Sequence, residues 1–130
     1  MPEYKTDGAA ALDLHALLPT ARVLWPLVPT RIPTGVTLAI PPGHAGFVMG
    51  RSGLALGGVC VLGGVIDSDF RGELSAIVVL LRLWPRVIHP EDRIAQLVVM
   101  PVEHTRLACG LSMEPTRRGA RGLGSTGVRP

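Results

Sequence analysis

Two carboxylates, an aromatic ring and a guanidinium fall close together in Gly64-Val65-Ile66-Asp67-Ser68-Asp69-Phe70-Arg71-Gly72-Glu73. A carboxylate so placed can activate a water for attack on phosphorus or carbon. The same residues can also simply shape a turn, with Asp67 and Asp69 capping it and Arg71 pairing with one of them. Gly50-Arg51-Ser52-Gly53-Leu54-Ala55 sets a basic group and a hydroxyl on flexible backbone at the start of a helical turn. Several N–H donors there can meet an anion, or Ser52 can serve only its own turn as a cap. In Glu91-Asp92-Arg93-Ile94-Ala95-Gln96-Leu97, strand alternation puts the Gln96 amide on one face with Ile94 and Val98. That amide needs a hydrogen-bond partner, either a ligand or backbone. Asp13, between Leu12 and Leu14, reads alone as a turn or cap residue.

The fifth stretch is Arg118-Gly119-Ala120-Arg121-Gly122-Leu123-Gly124-Ser125-Thr126-Gly127. Its glycines permit positive φ and bring N–H groups close to a polyphosphate. Arginine adds planar donor forks, and Ser125 and Thr126 add hydroxyls. Alone, such a composition at a terminus more often marks a flexible basic tail.

The elements that must position these groups are short. Candidate strands are Val23 to Val28, Gly35 to Ile40, Gly46 to Met49, Glu73 to Leu81 and Ile94 to Pro101, each bounded by turn residues. Sixteen glycines and 12 prolines leave little room for a long helix, so the reading is all-β, a sandwich or barrel. A short helix can begin near Ser52 and must stop at Gly57-Gly58, and Gly63-Gly64 suggests a tight hairpin. Trp25 and Trp84, each followed by proline, read as packing anchors at strand ends. The apolar pattern ends near Thr116, which divides the chain into a domain of residues 1–115 and an arm of residues 116–130.

Several function classes are excluded by composition. The most apolar stretch, Leu74 to Trp84, is broken by Arg82 and is far short of the roughly 20 residues a membrane-spanning helix needs. Met1 to Lys5 lacks a signal-peptide core, which implies an intracellular protein of cytoplasm or nucleus. Cys60 and Cys109 read as small buried hydrophobes, and the four histidines lack metal-ligand spacing. Aromatic residues are only 4% of the chain and do not alternate with basic ones, which argues against stable nucleic-acid binding. A hydrophobic fraction of 47% against 18% charged implies surface buried against further copies of the chain.

Taken in order, the five stretches resemble the five motifs of the trimeric dUTP pyrophosphatases (dUTPases), from about Ala10 to Gly127. The resemblance implies a jelly-roll-like β-barrel assembled as a homotrimer. Each of three active sites would draw on all subunits, with a mobile C-terminal arm closing over a neighbour's site. The implied reaction is hydrolysis of dUTP to dUMP and pyrophosphate by water attack on the α-phosphorus, which limits uracil incorporation into DNA and supplies dUMP for dTMP synthesis. Asp67 would position and activate the water. Phe70 stands where the family usually has tyrosine under the deoxyribose, and its bulk would exclude a ribose 2′-hydroxyl. Backbone groups between Val61 and Ile66, including Gly64 and Val65, would read uracil in a pocket too narrow for the methyl of thymine. Arg51, Ser52 and Gly53 match the phosphate-contacting segment, and Gln96 matches a second phosphate contact. Arg118 would meet the γ-phosphate, with Ser125 and Thr126 donating there as Leu123 and Gly124 close with the arm. Mg²⁺ would be held chiefly by triphosphate and waters, with Asp13 acting through water.

Besides Phe70, four positions depart from the family pattern: Ala11, Glu91 and Arg121 replace usual glycines, and Leu123 replaces a phenylalanine that stacks on uracil. These departures leave room for a second class, a catalytically weakened interaction or signalling module on the same fold. The related dCTP deaminases need a glutamate after the glycine matching Gly72, but Leu74-Ser75-Ala76-Ile77-Val78 carries no carboxylate. Base–aromatic stacking contributes about 1–3 kcal/mol, of which leucine recovers only part. Leu123→Phe is therefore expected to raise kcat/KM for dUTP, and steady-state kinetics showing no gain would remove this explanation.

Overall fold

Short runs of β-branched and aliphatic residues between glycines and prolines pack well on a pleated surface and poorly as helix. The computed structural model describes residues 2–110 and 112–121. Its elements run β1 (Leu12–His15), β2 (Arg22–Leu24), β3 (Thr30–Pro33), β4 (His44–Met49), α1 (Ser52–Leu56), β5 (Val59–Gly63), β6 (Val65–Ile66), β7 (Ser75–Leu80), β8 (Arg86–Ile88) and β9 (Arg93–Pro101). One sheet has the order β1-β9-β4-β6, a second has β3-β7-β5, and β2 pairs with β8. All of these pairings are antiparallel.

All three sheets feed one core. Leu14 of β1, Leu24 of β2, Ile32 of β3, Val48 of β4, Val59 of β5, Val78 of β7, Ile88 of β8 and Ile94 of β9 belong to a single buried cluster. Full burial of such a side chain stabilises by about 1.5–3 kcal/mol. The jelly-roll-like β-barrel expected from the sequence is present.

The structure corrects several local readings. Residues 35–40 form no strand; the strand lies just before them, in β3. Gly35 takes φ +68, and its N–H is held by Glu73 Oε1 at 2.7 Å while Thr34 Oγ1 donates to Leu74 O at 2.8 Å. These bonds replace a ladder. The strand expected from Val23 to Val28 stops at Leu24, because Pro26 has no N–H to donate and Leu27 turns to φ +61. Gly63-Gly64 makes no hairpin: β5 pairs with β7 and β6 with β4, so the chain passes there between sheets. Gly64 is required by close approach, since a Cβ would meet Val48 O at 2.7 Å.

Trp25 and Trp84 are not packing anchors. They are 60% and 79% exposed, with Leu27 and Leu83 exposed beside them in sequence. A Pro26–Leu80 bridge brings these two apolar segments side by side. Cys109 is exposed and Cys60 only half-buried, contrary to the expected burial of both. The short helix does form as expected. It ends where Gly58 adopts φ +83, and Arg82 Nη2 donates to Leu56 O at 3.0 Å.

Glu91 holds φ +66 because its N–H reaches Ala16 O at 2.9 Å while Asp92 closes the turn on the His89 N–H at 2.8 Å. A residue with a Cβ is strained there by about 1–2 kcal/mol, partly offset by glycine's greater freedom when unfolded. Glu91→Gly should therefore raise unfolding stability by about 0.5–1 kcal/mol. Urea denaturation is the check, with a higher midpoint at unchanged slope expected.

Candidate active site

β1, β4 and β9 lie side by side, and this adjacency assembles the phosphate-matched residues. Asp13 faces Gln96 across the β1–β9 ladder, and Met49, at the end of β4, faces Gln96 from the other side. Asp13 is no turn or cap. It is a buried strand residue whose Oδ1 lies 3.1 Å from Arg51 Nε and whose Oδ2 lies 3.1 Å from Arg93 Nη1. Arg51 also donates through Nη1 to Arg93 O at 3.1 Å, and Gln96 Nε2 donates to Gly50 O at 3.2 Å. The loop entering α1 is thus fastened to β9 at two points. Backbone is the partner of the Gln96 amide, and its second N–H stays available. The Arg51 guanidinium has five N–H donors, of which these contacts use two.

Arg51, Ser52, Gly53 and Gln96 line one cavity of about 550 Å³, joined by Arg86 of β8. Arg51, not Ser52, occupies the N-cap of α1, and no side chain caps it. Ser52 is exposed in the first turn, so the reading of Ser52 as a self-capping residue is set aside. First-turn N–H groups lack intrahelical acceptors. Here the N–H groups of Leu54 and Ala55 both reach Arg51 O, and the turn lines a cleft walled by the guanidiniums of Arg51 and Arg86.

Gly64 and Val65 line a separate cavity of about 240 Å³ with Val48, Met49, Val61 and Leu62. Ile66 is half-buried beside the core. Asp67 is exposed immediately after β6, and its carbonyl accepts the Phe70 N–H at 3.1 Å in a turn. Arg71 pairs with neither aspartate. Its Nη1 donates to Ser68 O and Phe70 O, each at 2.8 Å, which stiffens the turn through backbone. The Phe70 ring rests over Gly72, where a Cβ would meet Cζ at 2.6 Å.

Asp67 lines neither cavity within the single chain. Arg118 is exposed in a turn of its own, with Nε donating to Arg121 O at 3.2 Å. Leu123, Gly124, Ser125 and Thr126 lie outside the described residues. Sequence reading missed Arg86 and the pairing of Arg93 with Asp13. Arg93 lies within a recognised stretch, whereas Arg86 stands in a segment with no local sign of chemistry. At the chain's start, the Lys5 ammonium hydrogen-bonds Glu3 and holds its carboxyl below the usual range.

A dUTPase family model matches residues 1–127 of the chain. A deoxyuridine 5′-triphosphate nucleotidohydrolase from Anaeromyxobacter sp. (strain Fw109-5) is 45% identical over 130 residues, covering 98% of this chain and 87% of that protein. Another of that description, from Methylocella silvestris, is 45% identical over 133 residues and covers 98% and 83% respectively. Among solved structures, the dUTPase of Staphylococcus bacteriophage 80alpha with dUPNHPP aligns at a TM-score of 0.85 with 27% identity, covering 98% of this chain and 92% of that one.

Removing the Asp13 carboxylate would leave two guanidiniums without their counter-charge. Arg51 and Arg93 side chains are 27% and 45% exposed, so water recovers part of the loss. Asp13→Ala is expected to cost about 1–3 kcal/mol of stability. Unchanged chemical denaturation would show that the bridge contributes nothing.

Proposed function

The chain belongs to the dUTPase family, and on that premise we propose how its residues divide the work of hydrolysing dUTP to dUMP and pyrophosphate. It is a dUTP diphosphatase. The observation that carries the division of labour is the clustering of Arg51, Ser52, Gly53 and Gln96 in one cleft, set apart from Gly64 and Val65 in another. The first cleft is positively charged and holds the triphosphate. Arg51 arrives pre-oriented by Asp13 and Arg93 O, so little freedom is lost when it meets phosphate. The remaining N–H of Gln96 and the Ser52 hydroxyl donate beside it.

The second cleft takes uracil against the backbone of residues 61–66. Phe70 lies under the deoxyribose. Its ring is set by Gly72 and is 41% exposed, leaving a face for the sugar. Asp67, at the end of β6, orients and deprotonates the water that attacks the α-phosphorus, and the bond to the bridging oxygen breaks to release pyrophosphate. Rate enhancement then comes from positioning and charge neutralisation.

A magnesium ion fits the donor set. No group of three His, Cys, Asp or Glu side chains converges among the described residues, so there is no all-protein cage. Mg²⁺ keeps its waters and takes phosphate oxygens, and needs only one or two carboxylates. Asp13 would hold such a water through the lone pairs not committed to Arg51 and Arg93. When bound, the ion supplies charge neutralisation on the triphosphate.

The working unit is a homotrimer. Within one chain Asp67 does not line the phosphate cleft, and the exposed segments around Trp25 and Trp84 present apolar surface for neighbouring copies. Residues 116–130 form the arm, with Arg118, Leu123, Gly124, Ser125 and Thr126 closing on a neighbour's nucleotide. The last strand ends at Pro101, leaving ample chain to reach it. No helix among the described residues is long and apolar enough to cross a membrane.

Asp67→Asn keeps the shape of the side chain and removes the base. Turnover of dUTP to dUMP and pyrophosphate should fall by about 10²–10⁴-fold, with the trimer intact by light scattering. Retained turnover would exclude Asp67 as the base.

A further inference from the structure

Arg86 lies outside all five chemistry-bearing stretches, yet its side chain enters the phosphate cleft beside Arg51, Ser52 and Gln96. It also lines an adjoining recess of about 230 Å³ with Arg51, Asp92 and Arg93. The guanidinium is seated against the end of α1. A Cβ on Gly57 would fall 2.4 Å from Arg86 Nη1, so the bare glycine makes room for it.

Arg86 is not accounted for by local structure. The carbonyl at the end of α1 is satisfied by Arg82, which donates to Leu56 O. Asp92 is the carboxylate that lines the recess, and its Oδ2 accepts the His89 N–H. Asp13 is shared between Arg51 and Arg93. Among the described residues, Arg86 forms no ion pair and no side-chain hydrogen bond. The residue is only half-exposed. A half-buried guanidinium loses hydration and regains it only when an anion arrives.

We infer that Arg86 is a further substrate-binding residue, donating to the polyphosphate of the nucleotide from β8. This rests on the assignment of the cleft to the triphosphate. Arg51 has committed two donors to Asp13 and Arg93 O, whereas Arg86 brings its whole fork to the anion. Because the arm carries Leu123 in place of an aromatic, a second cation fixed to the barrel would shift holding of the substrate from base stacking towards charge.

The test uses the full-length chain and inorganic tripolyphosphate as the probe, with binding measured by calorimetry at several salt concentrations. Arg86→Gln should weaken tripolyphosphate binding about ten-fold and flatten its salt dependence, as expected for loss of a charged hydrogen bond. Arg86→Lys should recover part of the affinity and the salt slope, which a purely structural role would not produce. In turnover assays, Arg86→Gln should raise KM for dUTP while leaving dUMP affinity unchanged. Tripolyphosphate affinity within two-fold of the unaltered chain in Arg86→Gln would overturn the inference. Equal loss of dUMP and tripolyphosphate binding would also overturn it, because that pattern marks collapse of the cleft. Failure of the unaltered chain to bind tripolyphosphate at all would instead remove the assignment of the cleft, and the role of Arg86 with it.

Discussion

The bridge from Asp13 to Arg51 and Arg93 is the constraint on which the site depends. One carboxylate, almost fully enclosed, holds two guanidiniums at 3.1 Å each and so joins β1, the loop before α1 and β9. Burying a carboxylate is costly unless charge and hydrogen bonds compensate it, so the three segments must stay in register. The energetic gain of such a bridge is modest. Its structural consequence is a defined direction for Arg51, whose remaining donors face the cleft.

How much of this was legible in the sequence follows the distance over which each feature is built. The helical turn at Ser52 and the strand beginning at Arg93 depend on neighbours in sequence, and both were readable. The Asp13 bridge joins residues 80 positions apart, so from its own neighbours Asp13 reads as a turn or cap residue. Residues 35–40 looked like a strand because their apolar alternation is real. What ends it is the Glu73 carboxylate, which takes the Gly35 N–H, while the Leu74 backbone reaches Thr34 and Val36 and the pairing with β7 goes no further. The tryptophans misled for a different reason. Apolar size predicts burial, but both rings stand open in the single chain, as a surface of the proposed trimer would.

The candidate site shows the same split. Stretches holding Arg51, Ser52, Gly53 and Gln96 were recognised individually and prove to share one cleft. Arg86 escaped notice because a lone arginine after proline carries no signature. Its place was decided by the β2–β8 pairing and by the missing side chain at Gly57. Sequence motifs report residues that act within a local frame, whereas a contribution from a distant strand becomes visible only once the sheet is closed.

The Phe70–Gly72 contact has a consequence for how this protein can change over generations. The ring occupies space that any side chain at position 72 would need. Drift at 72 is closed while 70 stays aromatic. A shrunken residue at 70 would free 72 but remove the ring proposed to lie beneath the sugar. The dependence runs one way: a side chain can enter at 72 only after the ring at 70 has shrunk or moved aside, whereas 70 can change on its own.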